Sequence, residues 1–189
     1  MRMSDYASLS NQFLIAMPSL ADPNFERSVT LICEHTAEGA LGLILNKPTN
    51  LQIREVFEQL KLDHADTLQP DQPVMHGGPV ATSRGFVLHG EGGEWESTLA
   101  LGDGLGLTTS RDIMEAIAGG KGPAHSLFAL GYAGWTAGQL EAEMAENAWL
   151  SVQRCDELIF DTPIEGRWDA ATRLLGIDPN QLSTFAGHS

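Results

Sequence analysis

Positive charge is scarce in this sequence. Eleven Lys plus Arg stand against 25 Asp plus Glu, a formal charge of −14 with histidine neutral. No three Lys or Arg run together, so the basic stripe with which duplex-binding proteins displace counterions is missing. Direct nucleic-acid binding is disfavoured, and so is attachment to an anionic lipid surface. Cysteine is scarce too: Cys33 and Cys155 are the only two, and neither belongs to a Cys-x-x-Cys pair. That excludes a disulfide framework and argues against a structural zinc site. Long apolar runs are also lacking near the N-terminus. The stretch Phe13-Leu-Ile-Ala-Met17 is too short for a signal-peptide core or a membrane span, so the expected location is cytoplasmic, with no membrane partner.

The strong catalytic signatures are missing as well. There is no Gly-x-x-x-x-Gly-Lys phosphate loop, no His-Glu-x-x-His, no Gly-x-Ser-x-Gly and no EF-hand loop, which lowers the expectation of an enzyme and implies no cofactor and no metal. Gly102-x-Gly104-x-Gly106 has Leu107 next to it and no third glycine where a dinucleotide loop needs one, so it reads as a hairpin.

What remains is ordinary globular composition, 42% hydrophobic and 19% charged over 189 residues, which we read as one domain spanning 1–189. β-branched apolar runs predict strands near 13–17, 28–35 and 40–46. Thr49 and Gln52 have capping-box spacing, with Ile53, Val56, Phe57 and Leu60 on one helical face, so a helix is expected directly after Lys47-Pro48. Further strands are expected at 73–76, 85–89, 97–101, 105–108, 125–131, 149–152 and 157–160, cut by Gly-rich steps that look like antiparallel hairpins. Helices are expected at 110–118, capped by Thr109 and Asp112; at 137–147, with a Thr136/Gln139 capping box and a Trp135/Leu140 staple; and at 167–175, ended by Gly176. Asp178-Pro179 starts a final turn. Strands in blocks joined by hairpins argue for an α+β, mixed and largely antiparallel sheet, and against Rossmann or TIM winding.

Several residues are candidates for chemistry. Cys33 and His35, two apart on a strand, share a face as a thiolate and its base would, although Leu31-Ile-Cys33 reads more readily as a core strand with an inert thiol. His76 and His89 end the strands flanking Gly77-Gly78-Pro79, so a hairpin brings both imidazoles to one end of the sheet. There they would bind an anion or a metal, or serve as hydrogen-bonded structural histidines, the reading we favour. Asn46 beside Lys47-Pro48 is either a turn former or a ligand contact. Gly77, Gly78 and the Gly131-Tyr132-Ala-Gly-Trp135 segment combine polar side chains with close backbone approach, as ligand clefts do, but a strongly bent sheet needs glycines equally.

Motifs along the chain resemble the YqgE/AlgH family: Phe13-Leu-Ile-Ala-Met-Pro18, Asp22-Pro23-x-Phe25 and Gly39-Ala-Leu-Gly-Leu-Ile-Leu-Asn-Lys-Pro48. His76-Gly-Gly-Pro79, Arg84-Gly-Phe-Val-Leu-His89, Gly131-Tyr-Ala-Gly-Trp135, Gln139-Leu-Glu141, Glu146-Asn-Ala-Trp149 and Gly187-His188 follow in order. The resemblance implies a bifurcated, mainly antiparallel sheet curled into a pseudo-barrel with flanking helices. It also implies a bacterial protein commonly linked to transcriptional regulation through alginate production in pseudomonads, with no catalytic residue or cofactor to carry over. Two functions are expected: from the resemblance, the acidic surface and the missing signatures, a regulatory or adaptor protein acting through contacts with an unidentified protein partner; or, from the polar and glycine-rich segments, a small-ligand or nucleotide-binding protein or enzyme with its site near the His76–Pro79/His89 hairpin. Sequence does not fix the oligomeric state.

Overall fold

A computed structural model describes residues 8–20 and 22–178. The chain opens with three antiparallel neighbours, β1 (Gln12–Ala16), β2 (Val29–Thr36) and β3 (Gly39–Ile44). Their alternation separates two cores. Phe13, Ile15, Val29 and Leu31 enter one cluster; Leu14, Ala16 and Ile32 enter another on the opposite face, because successive side chains of a strand point to opposite sides.

The next segment corrects an expectation. Residues 48–52 form a strand, β4 (Pro48–Gln52), and the helix α1 (Ile53–Gln59) begins only afterwards, with no side-chain cap. The Thr49/Gln52 capping box does not form. Thr49 Oγ1 instead donates to Val74 O at 2.7 Å, because β4 finds an antiparallel partner in β5 (Pro73–His76). The apolar stripe is where it was expected, with Ile53 and Phe57 fully buried.

Then follow β6 (Val80–His89), β7 (Thr98–Gly102), β8 (Leu105–Thr108), α2 (Arg111–Ala118) and β9 (Ser126–Thr136). The β7–β8 connection is the expected hairpin, with Asp103 at φ 51° and Gly104 at φ 81°, the left-handed pair that a two-residue primed turn requires. Ser110, not Thr109, occupies the α2 N-cap. Asp112 accepts from Ser110 Oγ at 2.5 Å and from the Glu96 and Ile113 backbone N–H groups. The Ser110 bond above all holds its carboxyl below the ordinary range. β9 runs on through Gly131–Trp135, so that motif is strand throughout.

The chain ends with α3 (Gln139–Ala145), β10 (Trp149–Gln153), α4 (Asp156–Phe160), a 3-10 turn (Ile164–Gly166) and α5 (Arg167–Leu174). Half of the predicted α3 box is present: Gln139 Oε1 accepts from the Thr136 N–H at 3.0 Å, although Gly138 is the N-cap. Trp135 and Leu140 share one core cluster, as the staple requires. The strand expected at 157–160 is a helix. Leu158 and Ile159 are adjacent and both buried against the same cluster, which a strand, sending neighbours to opposite faces, does not achieve. The turn expected from Asp178-Pro179 onward lies outside the described residues.

The sheet order is β10-β1-β2-β3-β9-β6-β8-β7, with β4 and β5 branching from it. β9 carries β6 on one edge; along the other, β3 pairs residues 133–136 and β5 runs parallel beside residues 129–130. The sheet therefore forks at β9 and curls into a half-barrel. Its concave side is filled from α4 and α5 by Leu158, Ile159, Trp168 and Ala171. Outside, α3 covers Leu14, Ile32 and Trp135, while α1 and α2 cover Val74, Val87 and Phe128. This is an α+β fold: a mixed, largely antiparallel, forked sheet with flanking helices. Among the described residues no helix is long and apolar enough to cross a membrane.

Candidate functional site

The expected His76/His89 hairpin does not form. β5 and β6 do not pair; they flank β9, His76 opposite Leu130 and His89 opposite Ser126. Two strand spacings and four residues of stagger put their Cα atoms on the order of 15 Å apart. His89 is 5% exposed and both ring nitrogens are engaged: Nδ1 donates to Gly90 O at 2.9 Å, and Nε2 meets Thr108 Oγ1 at 2.7 Å, which in turn meets Thr98 Oγ1 at 2.7 Å. Among the described residues no three His, Cys, Asp or Glu are placed to hold a metal.

The glycines explain why the chain does not turn back at Gly77-Gly78. Gly77 N–H donates to Leu130 O and Gly77 O accepts from Ile44 N–H, both at 2.9 Å, so Gly77 wedges into the fork between β3 and β9. A Cβ at Gly77 would lie 2.3 Å from Gly131 O, and one at Gly78 2.0 Å from the Tyr132 carbonyl carbon. Bare backbone lets the chain cross β9 at this point. Asn46 closes a turn: its Oδ1 accepts from the Val29 N–H and its Nδ2 donates to Arg27 O, both at 2.9 Å, next to Arg27 at φ 53°. Tyr132 packs edge-on against Phe86, while Trp135 is buried in the cluster under α3. Of the seven residues singled out in the sequence, Gly77, Gly78 and Tyr132 come together where the chain crosses β9, whereas His89 and Trp135 are buried in separate surroundings.

Nor do Cys33 and His35 pair. Ile32 opposes Gly42 and Glu34 opposes Leu41, leaving Cys33 as an extra residue in a bulge. The bulge resets the alternation, so Cys33 stays in the concave core while His35 turns toward α3. Burial, with a smaller contribution from Glu34, pushes the Cys33 thiol up to about 12. His35 Nε2 lies 2.7 Å from Glu141 Oε1, a spacing like that of a carboxylate–imidazole pair in an active site, but its Nδ1 accepts the Leu9 N–H at 2.9 Å. With both nitrogens occupied and 4% exposure, this imidazole has no face for a substrate.

Sequence reasoning missed the feature that does look like a site. Between α1, α2 and the outer face of the sheet lies a cleft of about 440 Å³, within the size range of small-molecule sites. Its floor is Phe86 and Val87 of β6 with Phe128–Leu130 of β9; Val56 of α1 and Met114 of α2 form its walls. Polar groups stand at the rim: Gln59, Ser83, Thr109, Ser110 and Arg111. Arg111 fixes the two walls relative to each other, donating to Leu60 O at the end of α1 at 2.8 Å and to Glu115 Oε1 at 3.2 Å, a cation on a helix-terminal carbonyl. Gly85, also in the lining, has open space where a Cβ would stand. The amphipathic stripes of α1 and α2 were the available signal, and they read as core.

The AlgH-like family model matches residues 13–180. A UPF0301 protein of Saccharophagus degradans is 54% identical over 186 residues, covering 98% of this chain and 91% of its own. One from Bordetella petrii is 54% identical over 180 residues, covering 95% and 89%. The solution structure of the AlgH protein from Pseudomonas aeruginosa superposes with TM-score 0.79 at 48% identity, covering 97% of both chains. A crystal structure from Corynebacterium diphtheriae, 19% identical with TM-score 0.69 and coverage of 89% and 87%, shares the fold. The forked half-barrel, the ordered motifs and these matches together make the chain a member of the AlgH-like family.

Proposed function

We propose that this protein is a non-catalytic regulatory protein whose input is a small, largely apolar molecule bound in the cleft between α1 and α2. The observation that carries the reading is that cleft: a largely apolar floor and walls, with Gln59, Ser83, Thr109 and Arg111 exposed at the rim and the one buried hydroxyl, Thr108, already bonded to His89 and Thr98, the arrangement by which pockets hold an apolar body and orient a polar end. The dyad-like His35–Glu141 pair, with both imidazole nitrogens engaged, supports binding over catalysis.

Output through protein contacts fits the same region. Ser83 and Gly85 line the cleft and belong to residues 80–85 of β6, which are exposed, so a ligand touches surface that a partner would meet. The acidic balance of the chain supports regulation without direct DNA contact; tight, salt-sensitive retention on duplex DNA by the purified protein contradicts that part.

The cleft is tested with the neutral dye N-phenyl-1-naphthylamine, whose emission rises in apolar surroundings. Wild type is expected to give saturable enhancement, Gly85→Phe to abolish it by filling the cleft, and Gly85→Ala to retain it, with all three melting cooperatively. Equal enhancement in a folded Gly85→Phe protein removes the cleft as a binding site.

A further inference from the structure

A second cleft, of about 330 Å³, opens between the start of β9, the segment before β5 with the ends of that strand, and the α4–α5 pair. At its buried side stands Arg167, the first residue of α5, only 7% exposed. Its Nε donates to Thr162 O at 3.1 Å and its Nη1 to Leu45 O at 2.5 Å. These contacts use two of the five N–H groups of a guanidinium. No carboxylate lies within 4.0 Å of it among the described residues. Carbonyl dipoles satisfy donors without pairing the charge, and Glu165 acts on it only from beyond ion-pair distance, whereas buried charges are ordinarily paired directly. In a chain with 25 acidic residues, a buried cation facing a cleft and paired with none of them is an unusual economy of partners.

We propose that this cleft binds an oxyanion, the carboxylate or phosphate group of a small molecule, with Arg167 as the charge that receives it. The rest of the lining suits that ligand. Ser126 and Gln69 bring side-chain donors to the cleft. His125, exposed at the opening, has its ring stacked on Phe160 at 5.4 Å between centroids, which fixes its orientation. Asp161 also lines the cleft and is exposed; its negative charge opposes polyanions and restricts the site to small groups of low charge. The arrangement is independent of the apolar cleft, which lies against α1 and α2.

The test is an amide NMR titration of the intact protein, at constant ionic strength, with inorganic phosphate and separately with succinate, chloride serving as control. Saturable shifts at His125, Ser126 and Arg167 are expected. Phosphate alone would mark a phosphoryl group, succinate alone a carboxylate, and both the shared chemistry. Arg167→Met should weaken binding by about tenfold or more, as loss of a charge-assisted partner does. Because Arg167 also holds two carbonyls, its variant is paired with Asp161→Asn, an exposed change that should tighten binding by about threefold through lost repulsion. Absence of saturable shifts with either anion, or an affinity unmoved by Asp161→Asn, overturns the proposal.

Discussion

Trp135 and Trp149 aim their indole N–H groups at the same atom, Glu143 Oε1, from 3.0 and 2.9 Å. One tryptophan lies next to the last residue of β9 and the other begins β10, and the carboxylate between them comes from α3. Gln139 completes the clamp, its Nε2 donating to Glu143 Oε2 at 3.0 Å. The two indoles meet edge-on at 5.9 Å, and Phe25 packs against both. Glu143→Ala leaves two donors of buried rings unsatisfied, a loss of about 1–3 kcal/mol for each such group. Glu143→Gln keeps an acceptor and should lose less. Urea midpoints of the two variants, followed by tryptophan fluorescence, are expected to rank Ala below Gln below wild type.

Cys33 and Cys155 should differ sharply in reactivity. Cys33 is buried and its thiol is pushed up to about 12, whereas Cys155 is partly exposed, and the thiolate is the reacting form. At pH 8 a maleimide should label Cys155 in the native protein and reach Cys33 only on unfolding, as read by mass spectrometry with and without denaturant.

The same shift fixes a sign for alkaline stability. The folded state holds the Cys33 proton more tightly than the unfolded state, whose thiol has its ordinary value of 9.0. This contribution is complete below that value and is lost as pH rises from there toward 12. The stability of wild type relative to Cys33→Ala should therefore shrink above pH 9.0, measured as the difference in urea midpoints.

Glycines at the fork should be intolerant, and the one in the apolar cleft tolerant. Gly131 has φ 80°, and a Cβ there would lie 2.5 Å from Gly78 O; the strained backbone alone costs about 1–3 kcal/mol, before the collision is counted. Gly131→Ala and Gly77→Ala should lower the melting temperature markedly. Gly85→Ala, which meets nothing within 4 Å, should leave it unchanged or raise it, since alanine restricts the unfolded chain.

His89 and His76 should separate in the same assay. His89→Ala breaks the buried chain to Thr108 and Thr98 and should cost about 1–3 kcal/mol. His76, half-buried at the end of β5, should cost less. Asn46→Ala should behave like His89→Ala, because it removes both bonds that hold the turn at Arg27. Equal melting temperatures for His89→Ala and wild type would contradict the structural role assigned to His89.

Much of the local structure was legible in the residues. Continuous apolar runs in 13–17 and 28–35 mark strands buried on both faces, Gly102-Asp103-Gly104 demands a left-handed turn, and Trp135 and Leu140 bracket the start of α3. These signals depend on neighbours close in sequence, and the structure retains them. What only the tertiary structure decided depends on partners far away. β4 is a strand because β5 lies beside it; residues 156–160 are helical because Leu158 and Ile159 must enter one core together; and His35 leaves Cys33 because one bulge resets the strand. The apolar cleft draws its lining from residues 51 to 130, and Arg167 meets Leu45 across the fold. Backbone torsion and side-chain period are local and so are written in short stretches of sequence, whereas burial, bulge placement and the meeting of distant walls exist only once the sheet has forked and curled.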